Sequence, residues 1–97
     1  MHKLLTSFLL IAPIVVAEAM PTKAQLAKVQ PLVNELMVPK VKELREGKIK
    51  ELEVADAAVS FAEEASGEAS KYLFLKGAIF HYVRAGEYDK AAEAVDL

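Results

Sequence analysis

Few side chains in this sequence are equipped for chemistry. His81 is the only histidine besides His2, and it lies between Phe80 and Tyr82. A lone imidazole can shuttle a proton or supply half of a metal site. A metal site needs several converging ligands, however, and a second histidine is missing beyond the amino-terminal segment, so His81 is expected to be structural or solvated. Glu63, Glu64 and Glu68 bring three carboxylates close together, but a hard cation such as Ca²⁺ takes about six to eight oxygens from a looped spacing that does not occur here. They are expected to form a solvated helix end. Lys40, Lys42, Arg45, Lys48 and Lys50 form the one basic cluster, of a kind that can meet phosphate groups or an anionic surface. Glu43, Glu46 and Glu51 interrupt it, Lys42 and Glu46 are spaced as an i,i+4 pair, and cations suit a helix C-terminus, so a solvated face is expected. The aromatic residues Tyr72, Phe74, Phe80, Tyr82 and Tyr88 fit a core, with Tyr72 and Phe74 the candidates for an exposed protein-contact patch. No catalytic residue, cofactor or metal is implied.

Composition narrows the function classes further. The chain has 97 residues, 54% hydrophobic, without cysteine or tryptophan, and its 12 Lys+Arg against 14 Asp+Glu give a net charge of −2. That length holds one small domain. Absence of cysteine excludes disulfide scaffolds, thiol nucleophiles and cysteine-ligated zinc or iron–sulfur sites. The charge balance argues against a strongly basic nucleic-acid binder and selects no partner.

Residues 1–19 are read as a secretory signal peptide. Lys3 makes the start positive, and Leu4–Ala17 comes next with no charged residue, interrupted only by Thr6, Ser7 and Pro13. As a helix this stretch spans about 21 Å, short of the roughly 30 Å hydrocarbon core, so an uncleaved membrane anchor is the alternative. Ala17-Glu18-Ala19 offers small residues for cleavage before Met20, and Val15-Val16-Ala17 offers a second site.

The chain from Met20 onward is rich in alanine, leucine, lysine and glutamate and nearly free of strand-type alternation, which predicts an all-α fold of about four helices. Residues 20–50 carry an apolar row, Leu26, Val29, Leu32/Val33, Leu36/Met37, Val41 and Leu44, with Thr22 as N-cap. Pro31 and Pro39 each remove a backbone donor and crowd the preceding turn, so a break near Met37-Val38-Pro39 is expected, or a helix that starts near Val29 with Pro31 in its first turn. Gly47 is the expected stop. A second helix runs from about Glu51 to Ala65. Ser66-Gly67 then breaks the chain, with Ser66 a potential cap, and a third helix covers Ala69 to Arg84. Apolar bulk surrounds most of that third helix, which should make it central, while Gly77 and Ala78 leave a flat spot for close approach of a neighbouring backbone. Gly86 ends it, and a fourth helix from Tyr88 to about Val95 is expected to bury Tyr88, Ala91, Ala92 and Val95.

The core is thin. Of the 39 hydrophobic residues after position 19, 13 are alanine, and a chain of this size usually obtains only about 3–5 kcal/mol from a single core. Close helix packing must compensate.

From Leu75 onward, Ala78-Ile79, Tyr82, the run Gly86-Glu87-Tyr88-Asp89-Lys90-Ala91 and Val95 resemble a tetratricopeptide repeat. The resemblance implies an antiparallel hairpin in which Tyr82, Gly86, Tyr88 and Ala91 serve structural roles; Gly77 is structural through the flat spot it leaves on the third helix. Leu75 stands where tryptophan is common, Ala78-Ile79 replaces leucine-glycine, and the later alanine and proline positions are missing, so residues 51–97 read as a hairpin module truncated at its C-terminal end. More widely, Val54-Ala55-Asp56-Ala57-Ala58, Phe61-Ala62-Glu63-Glu64-Ala65 and Lys71 to Ala91 resemble the helical region after the signal peptide in secreted bacterial proteins of the formylglycine-generating-enzyme-like (sulfatase-modifying) kind. That resemblance implies an accessory region of a larger enzyme and supplies no catalytic position. Together these observations predict an exported, non-catalytic interaction or scaffold module, secreted or periplasmic. Its partner is expected to be a protein, a downstream domain or another copy in a homo-oligomer, with no nucleic acid, and with a membrane only through an uncleaved signal segment.

Overall fold

The computed structural model describes Met20–Leu97; the expected signal segment and its cleavage sites lie outside the described residues. Of the described residues 79% are helical and none is in a strand, which makes the fold a small all-α bundle. Its helices are α1 (Lys23–Arg45), α2 (Glu51–Glu64), α3 (Glu68–Arg84) and α4 (Tyr88–Val95). No helix among them is long and apolar enough to cross a membrane.

Local chemistry accounts for most boundaries. At the start of α1, Thr22 Oγ1 accepts the Gln25 N–H at 3.2 Å while the Thr22 N–H donates to Gln25 Oε1 at 2.8 Å, a reciprocal capping box. Helices α1 and α3 end alike. Gly47 and Gly86 take φ of +75° and +78°, which costs glycine nothing. Around them the N–H of Gly47 bonds Leu44 O and that of Lys48 bonds Glu43 O, and Gly86 and Glu87 repeat the pattern on Val83 and Tyr82. Both are Schellman turns that satisfy the last carbonyls of the helix. Ser66 does not cap α3; Gly67 occupies the N-cap position, and no side chain bonds the first turn.

The break expected at the prolines does not occur, and α1 runs through Pro31 and Pro39 as one 23-residue helix. Both prolines are at least partly open to solvent, as are Ala27 and Glu35, whose carbonyls lose their usual donors. Water can satisfy those oxygens, and packing of the opposite face through Val33 and Met37 holds the helix together across a defect that costs about 3 kcal/mol in an isolated helix.

Helices α2 and α3 form an antiparallel pair, and α3 packs against all three other helices, the central position its apolar circumference predicts. Helices α1 and α4 use opposite flanks of α3. Gly77 faces α1, where a Cβ would meet nothing closer than Met37 Cε at 3.9 Å. At Gly77 the expected flat spot is met by a flexible side chain, while Ala78 is fully buried. On the other flank, Ala55 and Ala58 of α2, Ala78 and Tyr82 of α3, and Ala91 and Ala94 of α4 form one buried cluster. Single methyl groups line it, so the helices approach closely around the Tyr82 ring. A second cluster joins Val33, Ala62 and Phe74, with Phe61 and Phe74 centroids 5.4 Å apart, and Met37 touches both clusters. Two expectations fail here. Phe74 is 2% exposed and is a core residue, not a contact residue. In α4 it is Ala91 and Ala94 that turn inward, leaving Tyr88, Ala92 and Val95 exposed.

Candidate functional site

Two features concentrate the side chains that the fold leaves with something to do. The first is polar. Because α2 and α3 are antiparallel, the first residue of α2 meets the last turn of α3. Glu51 Oε2 lies 2.5 Å from His81 Nδ1, and Arg84 Nε donates to Glu51 Oε1 at 3.0 Å. Phe80 packs edge-on against the His81 ring, 5.1 Å between centroids, and Arg84 lies 5.6 Å over the Phe80 ring. Burial pushes the Glu51 carboxyl up, but the hydrogen bonds and positive charge of His81 and Arg84 together outweigh it and hold Glu51 below the ordinary carboxylate range. One carboxylate thus clasps two α3 side chains, both well placed at the negative end of that helix. Nearby, the Tyr82 hydroxyl donates to Asp56 Oδ1 at 2.5 Å. Burial first, and then the Asp56 carboxylate, raise the pKa of the phenol, so it stays protonated and donates. His81 is buried and engaged with Glu51, an arrangement suited to tying helices together.

The second feature is apolar. Tyr72, Leu75, Lys76 and Ile79 of α3 and Ala94 and Val95 of α4 line a trough of about 250 Å³. Lys76 is its one charged residue. Helical spacing extends both walls: Val83 lies one turn beyond Ile79, and Tyr88 and Ala92 share the Val95 face of α4. Val95 and Tyr88 are 68% and 67% exposed. Of the two expected contact residues, only Tyr72 belongs to this surface. Tyr82 and Ala91 are buried, whereas Tyr88, expected to be buried with them, is exposed.

The remaining candidates are dispersed. Glu63 and Glu68 line a hollow of about 420 Å³ at the α2–α3 turn with Lys71 and Leu97, while Glu64 lines a different hollow, of about 200 Å³, with Leu32, Leu36, Phe61 and Phe74. The three carboxylates do not converge. Among the described residues no group of three or more His, Cys, Asp or Glu is placed to hold a metal ion. In the basic cluster Glu46 reaches Lys48 at 3.3 Å instead of Lys42, and Lys40 lies 4.0 Å from Glu43. Such exposed pairs contribute at most about 1 kcal/mol.

Sequence reasoning missed Glu51 as the partner of His81 and Val95 as a wall of the trough. The first had a usable signal, an acidic first turn on α2 facing a basic last turn on α3 across a tight antiparallel turn. The second had none, because Ala91, Ala92, Ala94 and Val95 offer α4 several apolar faces to turn inward. Compared with known protein families, curated proteins and solved structures, the chain matches none.

Proposed function

We propose that this chain is an exported, non-catalytic helical interaction module whose α3–α4 trough receives a protein surface. The observation that carries the proposal is the trough itself, large apolar side chains on two adjacent helices exposed along one continuous face. Contiguous apolar patches with a polar rim mark interaction sites on small proteins, and a trough between two helices suits an amphipathic helix laid lengthwise. The engagement of His81 by Glu51 supports a structural role for the one histidine in the bundle. Buried Tyr82 and Ala91 on either side of the Gly86 turn support a tetratricopeptide-like hairpin from Leu75 onward. Export rests on the uncharged Leu4–Ala17 stretch and the small residues before Met20.

A hydrophobic fluorescent dye tests the trough. In dilute solution the folded chain should bind the dye, and Tyr72→Glu with Val95→Glu should abolish most of that binding while the helical circular dichroism is kept. A helical chain that binds no dye, or whose dye binding is indifferent to both substitutions, would overturn the interaction role. The mass of the product recovered outside the cytoplasm should correspond to cleavage before Met20 or two residues earlier; a product of full mass overturns cleavage.

A further inference from the structure

Resting on the interaction role just proposed, we infer that the occupant of the trough is a second copy of this chain, which lays the exposed ridge of its α1 into the trough and sets Glu35 against Lys76. Among the described residues, six of the ten exposed large apolar side chains fall into two groups, with Met20, Val38, Phe80 and Leu97 outside them. One group lines or extends the trough: Tyr72, Val83, Tyr88 and Val95. The other lies on α1, where Leu32 and Leu36, one turn apart, are 51% and 38% exposed. Glu35 stands beside them and is exposed too. The trough is concave, apolar and carries one cation; Leu32 and Leu36 form an exposed apolar row on the α1 rim of the hollow they share with Phe61 and Phe74, with an anion beside it. Apolar surface and opposite charge are what the two faces offer each other.

Alternatives within the same chain fit less well. Pairing trough on trough across a twofold axis brings Lys76 toward Lys76 and sets two concave faces against each other, and like charges juxtaposed at an interface oppose association. Ridge and trough of one molecule cannot meet, because α1 and α4 occupy opposite flanks of α3. Contact between copies is therefore head-to-tail. Each copy retains a free ridge at one end and a free trough at the other, so association continues past a dimer unless the rotation between copies closes a ring.

Sedimentation velocity on the full chain, in the processed form its mass reveals, tests this directly. Wild-type mass should rise with concentration beyond that of a dimer. Leu36→Glu removes the ridge and Val95→Glu blocks the trough, and each variant alone should be monomeric with unchanged helical content. Mixed in equal amounts they retain one ridge and one trough between them and should form a heterodimer that grows no further. Lys76→Glu should weaken association about tenfold, and adding Glu35→Lys should restore most of it. A wild-type chain that stays monomeric, a mixture that stays monomeric, or association indifferent to both ridge and trough substitutions overturns the inference. If the monomer still binds dye in the trough, only the identity of the occupant fails; if it binds none, the interaction role fails with it.

Discussion

The two ends of the α3 surface are finished in different ways. Where α2 begins and α3 ends, Glu51 engages His81 and Arg84, one carboxylate oxygen to each, so the carboxylate's charge is met within the bundle. Along the α3–α4 face, Tyr72, Ile79 and Val95 present apolar surface that the bundle leaves partly or wholly open. Geometry explains the contrast. Apolar side chains surround most of α3, and the helices packed on it leave Tyr72 and Val83 exposed. The clasp works toward holding the bundle together. The floor of the trough, Ala94 and Ile79, belongs to the core, whereas its outer side chains, Tyr72 and Val95, leave apolar surface open that the bundle does not use, so the trough is the region where a role outside the bundle is to be sought.

Substitutions at both regions, with the core as a reference, sharpen this contrast. Phe74→Ala should have the largest effect, a loss of about 3–5 kcal/mol, comparable to the whole stability of so small a core. A chemical denaturation curve should show the variant largely unfolded, and a variant that stays cooperatively folded would move Phe74 out of the core. Glu51→Ala comes next, at about 1.5–3 kcal/mol, because it strips charge-assisted hydrogen bonds from His81 and Arg84 together.

The same carboxylate sets a pH dependence. Glu51 titrates below its ordinary value of 4.5 in the folded chain, so its stabilisation is fully present above that value and is lost as pH falls through the lower, folded one. Thermal melts followed from neutral to acid pH should decline in that window, and Glu51→Gln should flatten the decline. An equal decline in Glu51→Gln would assign the acid sensitivity to other groups.

Tyr82→Phe should cost about 1 kcal/mol, the usual net value of one hydrogen bond, here that to Asp56. Val95→Ser should change stability by no more than about 0.5 kcal/mol, since its side chain is mostly exposed. If Val95→Ser instead destabilised the fold as much as Tyr82→Phe, the trough would be part of the core and the contrast would collapse.

Several features were legible before any tertiary contact was known. Thr22 and the glycines at 47 and 86 place helix ends within about a residue or two of where they lie, because caps and left-handed turns are decided by neighbours in sequence. Pro31 and Pro39 misled, since the cost of proline inside a helix is set by whether the orphaned carbonyls face water and whether the opposite face is packed. Phe74 and Tyr72 could not be told apart by type, being apolar aromatics on a helix with apolar residues all round. The burial of Ala94 in place of Val95 was equally hidden.

What this amino-acid sequence determined alone is therefore a set of helices, their ends, the tight turns that force α2 and α3 to run antiparallel, and a core that must rely on alanine. Tertiary structure alone decided which face of α3 is shielded, which alanines of α4 point inward, that α1 passes uninterrupted through two prolines, and that Glu51 meets His81. Chain-local signals act over one or two helical turns. Burial is settled by competition among helices for the same surface, and here part of the α3 surface, at Tyr72 and Val83, stays exposed.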